Sequence, residues 1–390
     1  DPSGAGQAPP SRGASASPGA ARPGGVVMAY GGADHSGEFG ADALDAGALP
    51  RGWAPWAVPY PKDLVRRGAG CALASGTVVC RDARGGAAAV AAASGKQLWA
   101  VSGSGATPAA GARQPAPVTD GRSVFVTGPS GLRALRLGTG KEAWSTHGSG
   151  GTVLAVAYAA GTVYTVERTG SSGRALAVRA RAADDGARTW STSVEGEAGR
   201  TPGFAVSGGR VYVASSGSVA ALSAQDGSVR ARRTTPGCTG LLARSGAVLC
   251  WSERSAGVRE LDGGTLAVRR VHGDLTPSVP PVAGSAGVLV VAGADVMEAY
   301  DLASGKRRWR LETADSAAPR VLALAGSKVL WVDEIYLKTM DLSGDAATRR
   351  TRSLPSDGSG LGGALGEPVL LSGTAIFAAD GRRMVSTTQP

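Results

Sequence analysis

One spacing dominates this chain. Glycine, three residues and then tryptophan is written at Gly95–Trp99 (GKQLW), Gly140–Trp144 (GKEAW) and Gly305–Trp309 (GKRRW). Aligning each unit on that glycine gives anchors at Gly95, Gly140, Gly186, Gly227, Gly264, Gly305 and Gly344, at intervals of 45, 46, 41, 37, 41 and 39 residues. A unit that recurs every ~40 residues marks a repeat architecture, in which each unit buries its apolar face only against its neighbours.

The text between anchors fixes the kind of unit. Short runs such as GCALASGTVVCRD, GTVYTVERTG, GRVYVASSGSVAAL and GVLVVAGADVMEAYD are rich in Val, Tyr and Leu and bounded by Gly, Ser and Asp. They read as strands and tight turns, and no stretch holds a 3.6-residue period long enough for a helix. About four strands per unit at this period is the arithmetic of a β-propeller blade. The anchor glycine falls in the turn between the third and fourth strands, where positive φ is needed. The tryptophan falls on the fourth, outermost strand, where it packs against the next blade. Trp56, Trp99, Trp144, Trp190 and Trp309 are the expected blade-docking residues, while Ala231, Val268 and Thr348 stand at that register in three other units.

Seven units leave both ends unused. The C-terminus supplies three strands (PVLLSG, TAIFAAD, GRRMVSTTQP) and the N-terminal side one (RGWAPWAVPYP). PWAV at 55–58 matches LWAV at 98–101. The expectation is an all-β, eight-bladed propeller of four-stranded antiparallel blades over 51–390, its last blade closed by the N-terminal strand. Closure of that kind protects sheet edges. Residues 1–50 are rich in Pro, Gly, Ala and Ser and too poor in large apolar residues to offset ordering entropy. They read as a disordered linker that tethers the propeller to something else. The first residue is Asp1, so the chain reads as a fragment or a processed product, with any signal peptide or anchor cut from view.

These units resemble the tryptophan-docking repeat of the PQQ-like, quinoprotein-type propellers, whose pattern is roughly Ala-x-Asp-x-x-Thr-Gly-x-x-x-Trp. YDLASGKRRW at 300–309 is the best copy, followed by LRLGTGKEAW and ARAADDGARTW. The resemblance spans about residues 51–388. It extends to BamB-like propellers and to the propeller domains appended to bacterial membrane Ser/Thr kinases. It implies an extracytoplasmic binding or sensing scaffold. The quinoprotein enzymes resemble one another in an adjacent Cys-Cys pair and a calcium site, and no two cysteines here are adjacent.

Four cysteines occur: Cys71, Cys80, Cys238 and Cys250. In CALASGTVVC a turn at Ser75-Gly76 sets Cys71 opposite Cys80, within reach of a disulfide after a modest closing. CTGLLARSGAVLC brackets an equivalent hairpin. Two disulfides, Cys71–Cys80 and Cys238–Cys250, therefore fit. Free buried thiols and a zinc site are the alternatives, the latter lacking CxxC spacing and nearby histidine. Disulfides imply an oxidising compartment.

Signals for catalysis are thin. His35, His147 and His272 stand alone, no GxSxG elbow occurs, and GTGKE and SGKR lack phosphate-loop spacing. The expectation is no enzyme, no metal and no cofactor. The rival class is a quinoprotein-type or other enzyme with its site in the central channel. The net charge is +10. It is carried mostly by Arg in an Ala- and Gly-rich chain, as a high-GC bacterial coding sequence produces. No Lys/Arg run with interleaved aromatics points to nucleic acid, and no apolar run is long enough for a membrane span. Charge of this sign suits a protein or anionic envelope ligand. Two loops flank the closing blade, VPYPKDLVRRG and RRTRSLPSDGSG. Their Lys62, Arg66, Arg67, Arg349, Arg350 and Arg352 form the candidate binding patch, on a monomer.

Overall fold

The computed structural model describes residues 51–59 and 71–388, apart from 83, 104–114, 129–130, 147–151, 170–174, 197–200, 245, 285–286, 314–317, 320, 326, 334–335, 354–369, 373–374 and 380–382. The expected linker at 1–50 and the loop that holds Lys62, Arg66 and Arg67 lie outside the described residues.

Valine-rich segments separated by Gly-containing turns form antiparallel hairpins, and the hairpins assemble into four-stranded sheets. Seven of these are built from consecutive strands. Blade I comprises Cys71–Ala74, Thr77–Arg81, Ala87–Ala91 and Gln97–Val101. Blade II comprises Val118–Thr119, Ser123–Gly128, Gly131–Arg136 and Glu142–Ser145. Blade III comprises Thr152–Ala159, Thr162–Thr169, Ala175–Ala182 and Arg188–Glu195. Blade IV comprises Gly203–Ser207, Arg210–Ser215, Ser218–Ser223 and Val229–Thr234. Blade V comprises Gly240–Arg244, Ala247–Ser252, Ser255–Asp262 and Val268–His272. Blade VI comprises Val282–Ala283, Val288–Ala292, Val296–Asp301 and Arg307–Glu312. Blade VII comprises Val321–Ala325, Lys328–Asp333, Tyr336–Asp341 and Arg350–Ser353.

A further four-stranded sheet joins the chain ends. Trp56–Pro59 pairs with Arg383–Thr388, which continues through Ala375–Ala379 to Leu370–Ser372. First strands of successive sheets lie side by side, Cys71–Ala74 against both Val118–Thr119 and Leu370–Ser372. The molecule is an all-β propeller of four-stranded antiparallel blades, its core divided into apolar layers between neighbouring sheets.

Turn chemistry explains the sharp corners. Ser75-Gly76 and Ser216-Gly217 both have positive φ at the two central positions, the type I′ geometry that matches strand twist. Between the third and fourth strands the chain makes a wider turn. Gly95 has φ +68° and donates its N–H to the Ala91 carbonyl at 2.8 Å. Gly140, Gly186, Gly227 and Gly305 repeat that bond. In blade V the same bond is made by Leu266 N–H to the Asp262 carbonyl, at φ +60°. The anchor there is Leu266, not Gly264. Intervals around it become 39 and 39 residues.

Acidic residues brace these turns. Asp301 Oδ1 accepts from Ser304 N–H at 2.7 Å and its Oδ2 meets Arg308 at 2.6 Å. Asp262 accepts from the Thr265 N–H at 2.7 Å and pairs with Arg269. The Arg308 guanidinium holds Asp301, and the Thr265 N–H holds Asp262, far below the usual carboxylate range; the Ser228 hydroxyl takes Asp226 to about 2. The Asp226 turn's contribution is therefore full above pH 3.8 and lost as pH falls toward 2, while those of Asp262 and Asp301 persist to lower pH. An acid titration followed by circular dichroism should show a wild-type transition in that window, and Asp226→Ser with Asp301→Ser should blunt it.

Both disulfides are present. Cys71 and Cys80 are direct antiparallel partners with Cα atoms 4.0 Å apart. Cys238 bonds Cys250 across 5.5 Å between Cα atoms. The second does not repeat the first geometry. Cys250 faces Leu241 in the ladder, and Cys238 lies before Gly240–Arg244, in the link from blade IV to blade V. That bond fastens the connector to the blade. Short closed loops of this kind contribute about 2–3 kcal/mol each. Mass spectrometry of a non-reduced digest should return both cross-links, and free thiols at all four positions would contradict them.

Candidate functional site

The seams between blades and the outer strands carry the chain's distinctive side chains. At each tryptophan seam the indole lies on the anchor glycine of the next sheet. A Cβ built on Gly140 would fall 2.7 Å from Trp99, one on Gly186 2.6 Å from Trp144, and one on Gly227 2.5 Å from Trp190. Only glycine leaves room for that approach. Each indole N–H is also satisfied: Trp99 donates to the Leu137 carbonyl at 2.8 Å, Trp144 to Ala183 at 3.0 Å, Trp190 to Ala224 at 3.0 Å and Trp309 to Leu342 at 2.9 Å. Trp56 of the closing strand lies on Gly95 and donates to Ala92 at 2.8 Å, so the ring-closing seam uses the same contact.

Three seams differ, and register identifies their residues. Trp99, Trp144, Trp190 and Trp309 stand opposite Ala89, Ala134, Ala180 and Ala299. By that register the fourth-strand residues are Ala231 in blade IV, Arg270 in blade V and Arg350 in blade VII. Val268 and Thr348, the expected occupants, lie elsewhere. Val268 is exposed, and Thr348 ends a 3₁₀ turn, Ala346–Thr348, that lengthens the blade VII corner. Arg270 does what a docking indole does. Its Nη1 donates to the Leu302 carbonyl at 2.7 Å, and its side chain covers Gly305. At the blade IV–V seam the sizes are exchanged. The fourth-strand residue is the small Ala231, and the turn residue is Leu266, fully buried in the cluster against which Ala231 packs. Sequence reading missed Leu266 and Arg270, although aligning LDGGTLAVRR with YDLASGKRRW on Asp262 and Asp301 superposes both pairs without a gap.

The basic patch is only partly visible. Lys62, Arg66 and Arg67 lie outside the described residues. Arg350 and Arg352 stand on the fourth strand of blade VII rather than in a loop. Arg349 stacks over Trp331, its guanidinium carbon 5.7 Å from the ring centroid. Arg350 donates to the Ala347 carbonyl at 2.7 Å. Arg352 reaches the closing sheet, donating to the Thr388 hydroxyl at 2.5 Å.

Among the described residues the innermost strands carry little charge. The first strands of the eight sheets are CALA, VT, TVLAVAYA, GFAVS, GLLAR, VA, VLALA and LLS, whose one charged residue is Arg244. Most of the buried charges among the described residues sit on second and third strands. Arg81 donates to the Pro115 carbonyl at 2.9 Å and to Thr127, Glu167 pairs with Arg179, and Lys338 meets Asp333 at 2.6 Å. Among the described residues no three of His, Cys, Asp or Glu gather as metal ligands.

The sequence that builds this geometry matches a known family. The family model described as outer membrane protein assembly factor BamB matches residues 83–240 and again 177–378. The chain belongs to the BamB-like family. Its fold is shared by crystal structures of low identity. BamB from Moraxella catarrhalis is 14% identical at TM-score 0.61, over 85% of this chain and 98% of that one. The computationally designed Ika8 protein is 15% identical at TM-score 0.64, over 83% and 98%. Sqt1 of Saccharomyces cerevisiae is 10% identical at TM-score 0.62, over 85% and 98%. None of the curated proteins matches this BamB-like chain. Among its described residues no helix is long and apolar enough to cross a membrane.

Proposed function

We propose that this BamB-like propeller is a non-enzymatic scaffold that binds a protein partner outside the cytoplasm. In this reading its eight sheets close as eight blades of one ring, and residues 1–50 tether the ring to a membrane-anchored protein. One observation carries the reading. The strands nearest the axis are apolar, while the outermost strands of blades IV to VII read VRARRT, VRRVH, RRWRLE and RTRS and are largely exposed. Recognition chemistry is thus displayed on the rim, and a channel site would have little to work with. The two disulfides support an oxidising compartment. The family's assembly-factor name favours a protein as the partner.

Arg349, Arg350 and Arg352 extend this basic surface toward the closing sheet, and in this reading they face an acidic partner. Such attraction is long-ranged and falls as salt shortens the Debye length to about 8 Å. Replacing Arg66, Arg67, Arg349 and Arg350 with Ser should weaken binding to soluble poly-glutamate and flatten its salt dependence. The melting temperature should move little, since exposed charges contribute about 0–1 kcal/mol each. An unchanged salt-dependent curve would remove the patch from the account. Redox-dye turnover after addition of PQQ and Ca²⁺ would overturn the non-enzymatic reading itself.

A further inference from the structure

At the seam between blades V and VI an arginine, Arg270, takes the indole's place over the turn glycine, and its neighbours are ionisable. Arg270 holds the Leu302 and Ala303 carbonyls of blade VI at 2.7 and 2.8 Å, and its guanidinium lies 3.9 Å from Glu260 Oε2. The same Glu260 oxygen lies 3.1 Å from His272 Nε2. The His272 side chain is fully buried. Its ring lies 6.2 Å from that of Tyr300, centroid to centroid, on the facing blade. Tyr300 in turn donates to Glu298, which is fully buried and also accepts from Arg307 at 2.9 Å and Arg310 at 3.1 Å. A chain of polar groups therefore crosses the seam from Arg270 to Arg310. The charged and titratable groups around His272 are Glu260 and Arg270 of its own blade, Tyr300 with Glu298, Arg307 and Arg310 behind it on blade VI, and Asp274 of the connector.

The proton inventory of His272 decides what this chain can do. A carboxylate only accepts, so Nε2 carries the hydrogen that is donated to Glu260. Nδ1 is buried and has no hydrogen-bond partner. A second proton would place an N–H at Nδ1 with nothing to receive it, and a positive charge in a site already facing Arg270. An unsatisfied buried donor and an added like charge both disfavour the closed seam. We propose that the blade V–VI seam is an acid-responsive joint, closed when His272 is neutral and loosened when it takes up a second proton.

Burial holds the His272 imidazole below its ordinary range, with Glu260 pulling the other way. The sign follows. Between the folded value and 6.5 the opened seam binds more protons than the closed one, so closure is full above pH 6.5 and weakens as pH falls. One proton limits the loss to about tenfold per pH unit. The Trp190 seam between blades III and IV is the internal control. Its indole is already satisfied, and the buried apolar cluster around it holds no histidine.

The test is hydrogen exchange on the full chain at pH 7.5 and 5.5, read as protection factors corrected for intrinsic rates. Strands Ser255–Asp262, Val268–His272 and Val296–Asp301 should lose several-fold protection at pH 5.5 relative to Ala175–Ala182 of blade III. His272→Gln keeps a donor toward Glu260 and cannot titrate, so it should abolish that difference. Arg270→Trp restores an indole over Gly305 and removes the competing cation, so it should shrink the difference even where His272→Gln folds poorly. Equal loss in blades III and V, or a loss that persists in whichever of the two variants folds, would overturn the proposal.

Discussion

Removing residues 51–59 should lower the melting temperature of the propeller by on the order of 10 °C and broaden the transition. The strand is short, but it carries two indoles into a seam. Trp53 donates to the buried Ser386 hydroxyl at 2.8 Å, and Trp56 lies over Gly95, donates to Ala92 and stands 6.0 Å from Phe377. Truncating a fully buried aromatic costs about 3–5 kcal/mol, so losing two half-buried indoles costs a similar sum, and a domain of this size loses about 2–4 °C per kcal/mol. Deletion also exposes the edge of Arg383–Thr388 to pairing with other chains. Calorimetry on the deletion checks the shift, and light scattering checks the exposed edge. An unchanged, cooperative transition would mean that the N-terminal strand is an ornament on a ring held shut by other contacts.

The second large effect lies at the blade IV–V seam. Leu266→Gly should destabilise by about 2–5 kcal/mol, because a fully buried side chain leaves a cavity. Part of this is offset, since Leu266 adopts φ +60° at some backbone cost that glycine does not bear. Ala231→Trp alone should also destabilise, because the space over the turn is filled by Leu266. The pair together restores the arrangement seen at Trp190 over Gly227. The double variant is expected to recover most of the summed loss, a coupling of opposite sign to the single effects. Urea denaturation of the four proteins measures it. Additive losses would show that Ala231 and Leu266 are not partners across the seam.

The two cases show what was legible in the sequence. Strand positions, the third-to-fourth-strand turn and the pairing of chain ends follow from periodicity and glycine placement, which are local properties. The register of blade V did not, because Gly263 and Gly264 offered false anchors while the turn residue was Leu266. Glycine marks the turn where an indole, or at Gly305 the Arg270 side chain, must fit above it. Once Ala231 removed the indole, leucine could take the site. Blade VII misled differently. The 3₁₀ turn Ala346–Thr348 inserts two residues, so counting from Gly344 arrives at Thr348 when the ladder places Arg350 opposite Thr339. In the sequence His272 stands alone and Arg270 carries no signal, and only the fold brings them to Glu260, Leu302 and Tyr300. For the basic patch, the sequence names residues on both sides of the closing seam, and the strand position of Arg350 and Arg352 changes how they are displayed.

The N-terminal strand pairs with the last strand of the chain, the contact that closing the ring requires. Ala57 and Val385 are direct antiparallel partners, with one residue from each end of the chain. Cysteines placed at Ala57 and Val385 and oxidised at low protein concentration should form a third, intramolecular disulfide. Mass spectrometry of the non-reduced digest should recover the cross-linked 57–385 peptide from monomer. Recovery of both cysteines as free thiols, or of the cross-link only from dimers, would contradict closure of the ring.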